Sequence, residues 1–134
     1  MKYAIIGSGK IGTALARTFA HNKIEVAIAN SRGPETLAPL MEQFGPTVVP
    51  QSIQDACEAE LIFLAVPFPA HKEVARHFEQ WNGKIIVDLT NAFRVSPEEL
   101  RGLLSSEVVS QAFAGARLVK AFNHRLCCKV SVSA

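Results

Sequence analysis

The sequence predicts an α/β protein: a doubly wound, mostly parallel sheet covered by helices on both faces, three layers in all. Three observations lead there. Apolar runs without polar alternation, Leu61 to Val66 and Ile85 to Val87, belong to strands buried on both faces, as in parallel sheets. Helical patterns separate such runs along the whole chain, so strand and helix alternate and each crossover returns to one sheet. The first strand also runs into Gly7-Ser8-Gly9-Lys10-Ile11-Gly12, whose G-x-G-x-x-G spacing opens a dinucleotide-binding βαβ unit.

The glycine spacing has a physical meaning. Gly7 permits the tight turn out of the strand Tyr3 to Ile6, and Gly9, without a Cβ, lets the backbone approach a pyrophosphate. Gly12 lets the following helix lie close on the strand. The unpaired N–H groups of that helix start then face the phosphates. Ile11, Ala14, Leu15, Thr18 and Phe19 form its core-facing stripe, and His21-Asn22-Lys23 ends it, with Asn22 as a left-handed cap. Ile24 to Ala29 is the second strand.

The end of that strand is where such folds read the adenosine ribose. NAD enzymes place a carboxylate there for the 2′-hydroxyl, whereas NADP enzymes supply cations and hydroxyls for the 2′-phosphate. This chain has Asn30-Ser31-Arg32-Gly33, with no carboxylate before Glu35. A carboxylate would repel a 2′-phosphate, while Arg32 can stack on adenine or donate a forked pair of hydrogen bonds. Arg32 as a solvated loop arginine is the alternative; the glycine motif at the right distance favours NADP.

Pro34 to Phe44 reads as a helix with Leu37, Leu40, Met41 and Phe44 on one face and Gly45 as its stop. Pro39 would kink it if it began at Pro34, and would be harmless in the first turn if it began near Thr36. Thr47 to Val49 is a short strand. Ser52 caps a brief helix holding Asp55, Ala56 and Cys57, the last a small core residue. The strand from Leu61 stops at Pro67, so Ala65-Val66-Pro67 should lie at the same sheet edge as the glycine loop. The next helix carries His71, Val74, Ala75 and Phe78 and ends near Asn82-Gly83. His71 at its start could approach the nicotinamide end of a cofactor, or be a surface or capping residue. Lys84 to Thr90 is a further strand with Asn91 just past its end. Ser96-Pro97-Glu98-Glu99 reads as a helix start with Ser at the N-cap, Pro at N1 and Glu at N3. Val109, Ala112 and Phe113 mark one more short helix, and Arg117 to Asn123 the last strand and its exit.

Composition narrows the partners. The chain has 134 residues, 49% of them hydrophobic, enough for the core of one domain. Lys and Arg number 14 against 12 acids, a formal charge of +2, which gives no reason to expect nucleic acid or a membrane surface. No apolar run approaches the roughly 20 residues of a bilayer span. The N-terminus enters the first strand without a secretory signal pattern. Cys57, Cys127 and Cys128 have neither metal-ligand nor C-x-x-C spacing, so a reducing, cytoplasmic setting is expected and no metal site.

Several motifs coincide in order and spacing: I-I-G-S-G-K-I-G, A-N-S-R-G-P-E-T-L, A-V-P, V-D-L-T-N and L-V-K-A-F-N. Together they resemble the Rossmann-type cofactor-binding domain of coenzyme F420-dependent NADP oxidoreductases, a domain also similar to the oxidoreductase part of the STEAP metalloreductases. The resemblance covers residues 1–124, taken as an NADP-binding domain. It implies that the backbone of Gly7, Ser8, Gly9, Lys10 and Ile11 holds the pyrophosphate. Ser31 and Arg32 would hold the 2′-phosphate, and Ala65, Val66 and Pro67 would flank ribose and nicotinamide. Asn91 and Ala121 match positions lining the nicotinamide pocket; Asn123 matches a position with either a turn-forming or a substrate-facing role. The implied chemistry is hydride transfer between NADP(H) and a deazaflavin, flavin or related acceptor. It needs alignment and exclusion of water more than a side-chain acid or base. Accordingly no catalytic residue is assigned.

The tail 125–134 does not resemble the continuation of that family. An edge strand at Val130 and Val132, an altered reading frame and a truncated product are the readings open for it. A non-catalytic NADP-binding or sensing module, lacking a complete acceptor site, is therefore the alternative function. Imine reductases similar to pyrroline-5-carboxylate reductases share the glycine loop and the Ser-Arg pattern. They build their substrate site from a C-terminal helical domain for which this chain has no room. The expected partners are small-molecule cofactor and acceptor, with a homodimer left open.

Overall fold

Strands and helices alternate as the apolar pattern requires. The computed structural model describes residues 2–90 and 105–120. Its strands are β1 (Tyr3–Ile6), β2 (Val26–Ala29), β3 (Val48–Pro50), β4 (Leu61–Leu64), β5 (Ile85–Asp88) and β6 (Arg117–Lys120). The helices between them are α1 (Lys10–His21), α2 (Ala38–Phe44), α3 (Ile53–Ala56), α4 (His71–Ala75) and α5 (Ser105–Ala112). The sheet order is β3-β2-β1-β4-β5-β6, and every pairing is parallel. This is the Rossmann-like α/β fold, with its order reversing between β1 and β4.

Successive strand residues point to opposite faces, and each face has its own core. Ala4, Ile6, Ile62, Leu64 and Ile86 pack with Ala56, Val74, Ala75, Trp81, Val109 and Phe113. On the other face Ile5, Val26 and Ile28 pack with Leu15, Ala16 and Phe19 of α1 and with Leu37. Trp81 is fully buried, with Phe78 and Phe113 edge-on at 5.0 and 4.8 Å between ring centres. Its indole N–H donates to the Ala75 carbonyl at 3.3 Å, so its polar end is satisfied within the core.

The local signals are realised with adjustments. Ser52 accepts a hydrogen bond from the Asp55 amide and caps α3, and Gly45 (φ +84°) stops α2. Pro34–Leu37 is a 3-10 turn, and α2 begins at Ala38, so Pro39 falls in its first turn where a missing N–H costs nothing. β2 begins at Val26, two residues later than the apolar run, because the Ile24 amide donates to the Phe19 carbonyl at 2.9 Å instead of to a strand, and Ile24 is 43% exposed. The left-handed residue after α1 is Lys23 (φ +57°) rather than Asn22. Asn22 spends its side-chain amide on the Thr18 carbonyl at 2.8 Å and keeps φ at −92°. α4 is shorter than its pattern, ending at Ala75. His71 at its start is wholly buried, so the expectation of a surface position does not hold. The Ser96 to Glu99 helix start lies outside the described residues.

Candidate functional site

The C-terminal ends of β1, β2 and β4 converge on one cleft of about 260 Å³. Hydrogen bonds beyond the strands hold this edge together. The Gly7 amide donates to the Ala29 carbonyl at 2.7 Å, and the Ala65 amide to the Ile6 carbonyl at 2.8 Å. Gly7, Ser8 and Gly9 line the cleft on one side, Ser31 and Arg32 on another, and Ala65, Val66 and Pro67 on the third. Eight of the twelve residues singled out from sequence thus meet around one space, although up to sixty residues separate them. Lys10 and Ile11 stand next to it as the first residues of α1. Asn91 and Ala121 lie outside the described residues. His71 does not line the cleft.

The glycines do different work. Gly7 has φ +115°, and a Cβ there would sit 2.2 Å from the Ala65 carbonyl oxygen. A Cβ on Gly12 would sit 1.9 Å from the Gly7 carbonyl oxygen, so α1 lies directly on the turn. A Cβ on Gly9 would meet nothing within 4 Å. The protein leaves that space free, and Gly9 is itself a lining residue of the cleft. The start of α1 has no side-chain cap. Thr13, one turn in, donates its amide to Gly9 and its hydroxyl to the Ser8 carbonyl, at 2.8 and 3.0 Å. The first amides of the helix are left for an external acceptor, and the helix dipole favours a negative one.

Charge follows the same logic. Arg32 is exposed at the rim, and Glu73, paired on the surface with Arg76 at 3.5 Å, is the one carboxylate lining the cleft among the described residues. No carboxylate stands at the end of β2. No group of His, Cys, Asp and Glu that could hold a metal occurs among the described residues. Cys57 is buried away from the cleft, and burial pushes its thiol up to about 12, which keeps it an unreactive thiol. The groove thus combines helix-start amides and an arginine with an apolar wall, Ala65 to Pro67.

Sequence reasoning passed over one residue. Asn30 is 8% exposed, and its carboxamide touches both the glycine loop and the Ser31-Arg32 loop. An Asn at a strand end followed three residues later by Gly is the available signal, since such side chains bind amides two and three residues on.

Residues 2–92 match the family model described as NADP oxidoreductase, coenzyme F420-dependent. The chain belongs to that family. The matched span runs from β1 past the end of β5 and so takes in the cleft-bearing edge of this chain. The chain is 42% identical to a hypothetical protein of known structure from Sinorhizobium meliloti (TM-score 0.85), covering 95% of this chain and 63% of that one. It is 27% identical to a proposed F420-dependent NADP-reductase from Arthrobacter sp. FB24 (TM-score 0.70; 92% and 62% covered). An imine reductase from Aspergillus terreus in complex with NADPH4 and dibenz[c,e]azepine is 27% identical (TM-score 0.66; 89% and 39%). Among curated proteins, the glycerol-3-phosphate dehydrogenase [NAD(P)+] of Pseudomonas fluorescens is 32% identical over 127 residues, 84% of this chain. The chain spans 35% of that enzyme's length. Together these relatives make it an NAD(P)-binding reductase-type domain.

Proposed function

We propose that this chain binds NADP(H) and serves hydride transfer between nicotinamide and a deazaflavin, flavin or related acceptor. The observation that carries the reading is the meeting of the open Gly9 backbone with Ser31 and Arg32 around one cleft. The amides at the start of α1 would hold the pyrophosphate, and Ser31 and Arg32 would hold the 2′-phosphate. Ala65, Val66 and Pro67 would give the ribose and nicotinamide an apolar wall that keeps water away. When bound, NADPH supplies a hydride from nicotinamide C4; the chain contributes orientation and a dry surface rather than an acid or base. The NADPH4 complex of the Aspergillus terreus imine reductase and the family match support the cofactor half. With the cofactor come the expectations of a cytoplasmic setting and of Asn91 and Ala121 at the nicotinamide.

Calorimetry tests the cofactor half. NADPH should bind well ahead of NADH, and Arg32→Ala should lower NADPH affinity roughly tenfold while changing NADH little, the effect of losing one charge-assisted pair. Equal affinities for the two cofactors in the unaltered protein would remove the Ser31 and Arg32 assignment. An acceptor screen with NADPH and a deazaflavin or FMN tests the other half. Tight binding without turnover would leave a cofactor-binding module.

A further inference from the structure

We infer that Asn30 is the positioning residue that makes the site selective for a 2′-phosphate, an inference that rests on the NADP(H) reading above. Its carboxamide uses every hydrogen-bonding group it has. The oxygen accepts from the Arg32 amide at 3.1 Å and from the Gly33 amide at 2.9 Å. The nitrogen donates to the Thr36 hydroxyl at 3.0 Å and to the Ser8 hydroxyl at 3.2 Å. Thr36 in turn donates its hydroxyl to the Gly33 carbonyl at 2.7 Å. These bonds fix which way the amide points, since a flipped amide would face two N–H donors with its own N–H groups.

Two consequences follow from the chemistry. The oxygen pins the backbone of Arg32, whose side chain is otherwise solvent-exposed, so the loop meets an incoming phosphate already shaped. The nitrogen occupies a lone pair of Ser8, which lines the cleft, and leaves the Ser8 hydroxyl hydrogen for a phosphate oxygen. A single buried amide thus sets the glycine loop and the phosphate-reading loop relative to each other. Asn30 is the first residue past β2, the region where NAD-type folds place a ribose-binding carboxylate. The same position is uncharged here, and its polar atoms are turned to the protein.

Two variants separate these roles. Asn30→Ala removes the whole bridge. Asn30→Asp keeps an acceptor for the Arg32 and Gly33 amides but loses both donations and adds a negative charge. Each is measured for amide hydrogen exchange at Arg32 and Gly33 without cofactor, and for affinity toward NADPH, NADH, 2′,5′-ADP and 5′-AMP. Asn30→Ala should speed exchange at both amides. It should lower the NADPH-to-NADH preference roughly tenfold, the effect of one hydrogen bond's worth of positioning. Asn30→Asp should keep slow exchange and lose the preference by at least as much, with 2′,5′-ADP affected and 5′-AMP spared. A retained preference in both variants overturns the inference, as does unchanged exchange in Asn30→Ala. Equal affinities in the unaltered protein defeat the NADP(H) reading itself and the inference with it; the exchange data then still report whether the bridge exists. If Asn30→Ala does not fold, Ser8→Ala and Asn30→Asp decide on the preference ratio alone.

Discussion

Substituting Gly12 and Gly9 by alanine should separate the two things the glycine turn does. At Gly12 the new Cβ would lie 1.9 Å from the Gly7 carbonyl oxygen and 2.9 Å from its carbon, both main-chain atoms. Cβ contacts under 3.0 Å essentially do not occur, so helix and turn must part by about 1.1 Å. Ile5, fully buried in β1, is 3.4 Å from the same point, so the methyl meets the strand as well as the turn. Overpacking of this kind costs about 3 kcal/mol at the upper end of its usual range, and alanine's better helix propensity offsets about 1 kcal/mol. The net loss of about 2 kcal/mol should lower the melting temperature by roughly 6–10 °C for a domain of this size. At Gly9 the Cβ enters open space at φ −75°, where alanine is unstrained. Stability should change by less than about 1 kcal/mol, the weaker N-cap being set against a stiffer unfolded chain. NADPH affinity should nonetheless fall at least tenfold as the methyl displaces a phosphate. Circular-dichroism melts and calorimetry on the two proteins are sufficient. A Gly12→Ala protein as stable as the parent would refute the close approach of α1. Unchanged affinity in Gly9→Ala would refute phosphate binding at that turn.

Two other outcomes follow from the core. Burial raises the Cys57 thiol from its usual 9.0 to about 12, so the unfolded chain gives up that proton first as pH rises. Its contribution to stability is complete below pH 9 and is lost toward 12; urea midpoints measured from pH 8 to 10.5 should fall less steeply in Cys57→Ala. Trp81 is the single tryptophan and is fully buried between Phe78 and Phe113, so Trp81→Ala should cost about 3–5 kcal/mol, read by urea denaturation. In the parent its fluorescence should be that of an apolar environment and shift only with global unfolding.

The order of elements was legible because parallel strands buried on both faces leave an unmistakable apolar run, and Ile62 and Leu64 do face one core while Phe63 packs on the other. Boundaries were less legible. Ile24 is apolar in sequence but exposed, and nothing local distinguishes it from Val26. Asn22 carries the usual preference for left-handed backbone, yet a side-chain bond to Thr18 competed and passed that conformation to Lys23. The glycine loop, Ser31-Arg32 and Ala65 to Pro67 could be placed because strand ends of such sheets share an edge. The role of Asn30 could not, since its partners Ser8 and Thr36 lie twenty-two and six residues away and meet only in the fold. His71 sat on the expected apolar stripe, but that stripe buried it rather than turning it toward the cleft.

The reversal of strand order between β1 and β4 also governs how the domain comes into being. β1 pairs with β2 about twenty residues on, but its other neighbour begins at Leu61, with Tyr3 set against it. Contacts that distant slow folding, because a long loop must close before they are rewarded. During synthesis the first half can form its own βαβ layer, yet β1 remains a sheet edge until Leu64 has emerged. The cleft is the seam where the later half docks on the earlier one. Ligand capture by this chain is therefore a report on the completion of that long-range join.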